Sequence, residues 1–322
     1  MKNVLRSPFA GRIENFVEQK NAFGFPYTES TRVLASFDKF CSARFPGETE
    51  LTKEICMAWA SKLDTECNNS FRNRVVPIRE FARYLISTGE CAHVVPPNLI
   101  PRDTNYVPYI YSEQEITAFW NVLDGIKPRK SHPIEHLVLP LVFRLIYCCG
   151  LRPSEPLNLR MEDVDLAKGK LYIMESKGHK DRVVMMADDM AELLRQYIVE
   201  ASIVMRDMKY FFPNGQGVAN TAGWLRRRFQ KAWGETGINH AGKNRPRVYD
   251  FRHTFATHRL YRWMKEGKDI TAMIPYLSAY MGHALLSATC YYIHLVPGQL
   301  EQMSDFDFSR SEALLPEVCN DE

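Results

Sequence analysis

The chain has 322 residues, 45% of them hydrophobic and 25% charged, with a formal net charge of +3 at neutral pH. That length exceeds what one hydrophobic core usually organises, so two domains are expected, and the composition excludes a long disordered or fibrous chain. No run is apolar enough to span a bilayer, and the N-terminus lacks a signal-peptide core. The eight cysteines form no CxxC pair, so a cytoplasmic protein with reduced thiols and no membrane partner is expected.

Residues 12–90 read as a helical domain. Thr28-Glu29-Ser30 is a helix start, followed by Val33, Leu34, Phe37, Phe40 and Cys41 at helical spacing. Leu51-Thr52-Lys53-Glu54 is a second start, with Ile55, Trp59 and Leu63 on one stripe. A third helix carries Val75, Ile78, Phe81, Ala82 and Leu85 and stops at Thr88-Gly89, with Pro77 expected near its start or at a kink. Arg72, Arg74 and Arg79 accompany that helix as a basic face suited to a phosphate backbone.

Pro96, Pro97 and Pro101 mark an extended linker. The expected division is a helical domain over 1–93, a linker over 94–108 and a second domain over 109–322. Ser112-Glu113-Gln114-Glu115 is a capping box, and an apolar helix over 137–149 runs into Gly150-Leu151-Arg152. Residues 170–175 and 182–186 predict a β-hairpin whose polar turn holds Lys177. Helical patterning resumes after Asp188, so the fold class is mainly α with a small antiparallel sheet. Arg226, Arg227, Lys243 and Arg245 belong to a basic cluster fit to contact DNA phosphates. Trp120, Phe143 and Trp224 are expected in the core.

The chemistry-bearing residues are Arg152 in Cys-Gly-Leu-Arg-Pro-Ser-Glu, Arg252 in Tyr-Asp-Phe-Arg-His-Thr-Phe, His283 after Met281-Gly282, and Tyr292. A guanidinium donates a planar fork of hydrogen bonds to a phosphate and stays charged at any working pH. A tyrosine hydroxyl is a weak nucleophile that needs such electrostatic help. Together these residue types suit covalent attack on a phosphodiester, with no metal or other cofactor called for.

In segments 149–155, 170–186, 249–257 and 281–294 the chain resembles the tyrosine recombinase (phage integrase-like) family. The resemblance implies an N-terminal core-binding, SAM-like helical domain and a mainly helical catalytic domain that clamp DNA. It implies that Arg152 and Arg252 bind the scissile phosphate, with Glu155 in support. Lys177 would protonate the departing 5′ oxygen, His283 would donate to the phosphate, and Tyr292, rather than Tyr291, would form a 3′-phosphotyrosyl bond. The family has a histidine three residues before the second arginine; here Tyr249 stands there, expected as a phosphate-side donor, with His253 as the lesser substitute. The longer segment between Arg252 and His283 calls for an extended helix or loop over 263–274.

The implied function is site-specific DNA recombination or integration, as in mobile genetic elements. The implied partners are double-stranded DNA with a specific site and a homotetramer on two duplexes, with accessory DNA-bending proteins admitted. The apolar series Leu300, Met303, Phe306, Phe308, Leu314 and Leu315 could pack on its own domain, but the resemblance implies that 299–322 is a tail that docks on a neighbouring protomer. Two other readings are a type IB-like topoisomerase, which that tail argues against, and a non-catalytic DNA-binding protein, which the intact arginines, His283 and Tyr292 argue against.

Overall fold

The computed structural model describes residues 4–24, 27–99, 107–176, 180–239 and 245–295. Lys177, Lys243 and the 299–322 tail lie outside the described residues. The chain divides into two compact units, Met1–Tyr106 and Val107–Glu322. No helix among the described residues is long and apolar enough to cross a membrane.

The first unit contains α1 (Ala10–Ala22), α2 (Thr28–Arg44), α3 (Lys53–Trp59) and α4 (Asn68–Ser87). Phe16, Leu34, Phe37, Ile55, Val75, Ile78 and Phe81 form its core. Thr52 caps α3 by accepting from the Ile55 amide. Three expectations change. First, α3 ends at Trp59 and Leu63 is 59% exposed, off the stripe. Second, Pro77 lies well inside α4 and not near its start, with its ring buried; the carbonyl it cannot serve belongs to exposed Asn73, where water can reach it. Third, the unit runs past residue 93, because Val95 is fully buried in its core and Ala92 bridges Leu51.

The Arg74 guanidinium pairs with Glu66 at 2.7 Å and donates to the Trp59 and Ser61 carbonyls, stitching α4 to the end of α3. A guanidinium so engaged is a structural cross-link. Arg72 is exposed and Arg79 half-buried.

The second unit opens with α5 (Glu113–Asp124), which has the expected reciprocal capping box between Ser112 and Glu115. α6 (Glu135–Cys148) and α7 (Ser154–Asn158) follow, then a three-stranded antiparallel sheet of β1 (Val164–Asp165), β2 (Lys170–Ser176) and β3 (Lys180–Met185) in that order. Ile173 opposes Arg182 and Leu171 opposes Val184. Leu171, Ile173 and Val184 are buried while Tyr172, Met174, Val183 and Met185 are exposed, the period-two alternation of a half-buried sheet. α8 (Asp188–Val204), α9 (Ala222–Glu235), α10 (Asp250–Lys265), α11 (Ile270–Met281) and α12 (Ser287–Cys290) complete the unit, ending in a 3-10 turn over Tyr291–Leu295.

An aromatic cluster anchors α10. Phe251 is fully buried and stacks on Tyr111 at 4.2 Å, with Phe119 at 5.2 Å and Phe143 at 5.8 Å. Trp120 and Trp224 pack against the same core. A second apolar cluster gathers Phe255, Leu260, Ile274, Leu277 and Met281 around Tyr292 and Ile293. These two clusters fix the face of α10 that carries Arg252 and His253 against the last turns of the described chain. The 263–274 segment is the end of α10, a short turn through Gly267 and the start of α11.

Candidate active site

The site is built around the C-terminus of α11. Gly282 adopts the left-handed conformation (φ +67°). The His283 and Gly282 amides then donate back to the Ser278 and Ala279 carbonyls at 3.0 and 3.1 Å, a Schellman-type ending. The next three carbonyls are taken by three arginines from three separate elements. Arg182 on β3 donates Nε to Tyr280 at 3.0 Å, Arg252 on α10 donates Nη2 to Met281 at 2.7 Å, and Arg152 before α7 donates Nη2 to Gly282 at 2.6 Å. A helix end exposes partial negative charge on just these groups, so cations are stabilised there.

Arg252 is completely buried, and its Nη1 donates to the Gly150 carbonyl at 2.5 Å. Burial pulls its guanidinium down to about 10, which still leaves it charged at neutral pH. Gly150 itself has φ +59°, and a Cβ there would lie 2.4 Å from the Phe255 ring, so only glycine permits the turn that delivers Arg152. Glu155 accepts from the Arg152 amide at 2.7 Å, from Arg152 Nη1 at 2.9 Å and from both Nη atoms of Arg182 at 2.8 and 2.7 Å. Burial alone would raise its pKa; the Arg182 hydrogen bonds and charge, joined by Arg152, outweigh that and hold the carboxyl at about 2.

Tyr292 is 3% exposed. Its hydroxyl lies 3.0 Å from Nδ1 of His253, and its ring stacks on His283 at 6.0 Å between centroids. Burial raises its pKa to about 12 against the lowering charge of Arg252 and, more weakly, Arg152. Burial, then the Arg252 charge, depress His253 to about 3; burial, then Arg252, Arg152 and Arg182, depress His283 to about 4. Both rings are therefore neutral at physiological pH. Nδ1 of His283 pairs with the buried Thr289 hydroxyl at 2.7 Å, which leaves Nε2 for a ligand.

The structure thus brings together Arg152, Glu155, Arg252, His283 and Tyr292. Tyr249 precedes α10, 38% exposed, with its ring 5.0 Å from His253. It is His253, not Tyr249, that meets the Tyr292 hydroxyl. Arg182 was missed by sequence reasoning, although it shares the buried face of β3 with Val184, a core-facing register that flags a paired arginine. Arg226 and Arg227 are exposed on α9 and Arg245 is exposed before α10, whereas their neighbour Arg228 pairs with buried Glu135 at 2.6 Å.

Comparison with known proteins adds the family. Residues 112–298 match the model of the phage integrase family. A tyrosine recombinase of Pseudothermotoga lettingae is 34% identical over 73% of this chain and 74% of that protein. The tyrosine recombinase XerC of Chlamydia caviae is 33% identical over 77% of each. A putative integrase/recombinase, y4rB, of Sinorhizobium fredii is 28% identical over 89% of this chain and 93% of that protein. The fold is shared with XerH bound to a palindromic difH substrate in a post-cleavage complex (TM-score 0.62, 19% identity, 85% of this chain and 77% of that one). It is also shared with a lambda integrase dimer bound to a core site (TM-score 0.62, 15% identity, 86% of this chain and 96% of that one). The chain therefore belongs to the phage integrase family and is a tyrosine-type site-specific DNA recombinase, an enzyme that cuts and rejoins DNA strands.

Proposed function

We propose that Tyr292 attacks the scissile phosphodiester of a specific site in double-stranded DNA. A Tyr292 Oη–P bond forms, the P–O5′ bond breaks, and a 3′-phosphotyrosyl enzyme and a free 5′ hydroxyl result. Arg152 and Arg252 hold the non-bridging oxygens and offset the charge that grows there in the transition state. His283 donates Nε2–H to the phosphate, and Tyr249 supplies a further donor. Lys177 protonates the departing O5′, a role that rests on the family resemblance.

His253 receives the Tyr292 proton as the oxygen attacks. A phosphate held by Arg252 offsets the guanidinium charge that depresses His253, which restores part of its basicity. The observation that carries the reading is the Tyr292 hydroxyl hydrogen-bonded to His253 within reach of the charges of both arginines. Strand rejoining reverses the same steps, with the 5′ hydroxyl of a new strand as nucleophile, so the bond energy is kept and no nucleotide is consumed.

In this reading the first unit grips DNA through Arg72 and Arg79, and the catalytic unit grips it through Arg226, Arg227, Lys243 and Arg245. Four protomers joined by the 299–322 tail act on two duplexes in the cytoplasm, with DNA-bending proteins as helpers. The test is a nicked suicide duplex built on the sequence that the protein selects from a random pool. Wild type and Tyr291→Phe should form a covalent adduct and Tyr292→Phe should not; an adduct with Tyr292→Phe removes the assignment. Chemical cross-linking of the trapped complex should give a four-protomer species, and a single protomer relaxing supercoiled plasmid without a site would favour the topoisomerase reading instead.

A further inference from the structure

Arg182 touches Glu155 and the end of α11, the carboxylate and the helix terminus that position Arg152. Its Nη atoms lie on the two oxygens of Glu155, at 2.8 and 2.7 Å, and its Nε lies on the Tyr280 carbonyl, two residues from the Gly282 carbonyl that holds Arg152. Only 7% of the Arg182 side chain is exposed. The fit is close: a Cβ on Gly282 would stand 2.9 Å from Arg182 Cδ, so the glycine that ends α11 also admits this arginine.

Charge gives the arrangement a purpose. A carboxylate that orients an arginine also neutralises it, which weakens the arginine's hold on an anion. Glu155 is shared by two guanidiniums, so the three groups together keep one positive charge and Arg152 is held without being cancelled. The low pKa of Glu155, to which Arg182 contributes ahead of Arg152, is what such sharing produces. A simple hairpin brace would need neither a bidentate fork on Glu155 nor a reach to the α11 terminus.

We propose that Arg182 is a positioning residue for strand cleavage, holding Glu155 and the end of α11 so that Arg152 meets the phosphate in the right geometry and with its charge intact. This rests on the reading of Arg152 as a ligand of the scissile phosphate. Arg182 does not touch the phosphate; it acts through its neighbours.

The test compares adduct formation on two versions of the selected suicide duplex, one with the natural phosphate and one with a methylphosphonate at the cleaved position. The methylphosphonate lacks one anionic oxygen, so its transition state needs less cationic help. Arg182→Met should slow cleavage of the phosphate by ~10- to 100-fold, yet slow the methylphosphonate far less, the same signature as Arg152→Ala. Arg182→Lys, which keeps the cation without the fork, should fall between Arg182→Met and wild type, and serves where Arg182→Met does not fold. Arg182→Met combined with Glu155→Gln should be less impaired than the two single effects multiplied, because the neutralising carboxylate is gone.

If Arg152→Ala shows the methylphosphonate signature while both Arg182 variants slow the two substrates equally, Arg182 is a structural brace and the proposal is overturned. If Arg152→Ala itself lacks the signature, the role of Arg152 falls first and the proposal falls with it.

Discussion

Arg152 and Arg252 donate to adjacent carbonyls, those of Gly282 and Met281, at 2.6 and 2.7 Å, although 100 residues separate them in the chain. Arg252 also holds the carbonyl of Gly150, two residues before Arg152. One buried guanidinium therefore ties the α6–α7 turn to the end of α11, and the second arginine is set by the first. The proposed phosphate-binding geometry and local stability consequently depend on the same contacts.

Arg252→Lys tests that coupling. A single ammonium cannot reach both carbonyls in the geometry of a planar fork. One buried acceptor then loses its donor, at a cost of about 1–3 kcal/mol. The urea midpoint of the catalytic unit should drop and adduct formation should be lost with it. An unchanged midpoint would show that the lost carbonyl contact contributes nothing to stability.

Acid should weaken the catalytic unit in two overlapping steps of the same sign. His253 and His283 are depressed from 6.5 to about 3 and 4, so below 6.5 the unfolded chain binds more protons than the folded one. Stability therefore falls as the pH drops from there until the folded rings themselves protonate. Glu155 is depressed from 4.5 to about 2, so its contribution is full above 4.5 and is lost as the pH falls towards 2. Urea unfolding across pH 7 to 3 should show a falling midpoint. His253→Asn should flatten the upper part of that profile and Glu155→Gln the lower part. A wild-type profile level between pH 6.5 and 4 would contradict the buried neutral histidines.

Arginines of the basic face should separate from the cross-linking one. Arg226→Ala and Arg227→Ala should weaken DNA binding across sequences and each reduce the dependence of log affinity on log salt by about 1. Arg74→Ala should instead lower the thermal midpoint of the first unit, because Glu66 and the Trp59 carbonyl lose their partner. A salt slope reduced by about 1 in Arg74→Ala with unchanged stability would reverse that distinction.

What could be read from the sequence was local. Ser112 with Glu115, Thr52 before α3 and the alternation on β2 and β3 lie within a few residues of their partners, and the arginine and tyrosine segments carry their own patterns. What could not be read was long-range. Arg182 meets Tyr280 from 98 residues away, and His253 meets Tyr292 from 39. No spacing rule connects such pairs, because the α11 terminus that gathers them exists only after the clusters around Phe251 and Phe255 have packed. Arg74 is similar in kind: its sequence neighbours show a row of arginines, and its pairing with Glu66 and the Trp59 carbonyl appears only once α3 and α4 have packed.

In the proposed reaction it is Tyr292 that carries the DNA. That role is tested most directly by digesting the adduct trapped on the suicide duplex and sequencing the nucleotide-bearing peptide by mass spectrometry. The expected result is a single modified residue, Tyr292, joined to a 3′-phosphate, with a free 5′ hydroxyl on the released strand. Modification at Tyr291, or a 5′-phosphate linkage at any residue, would contradict it.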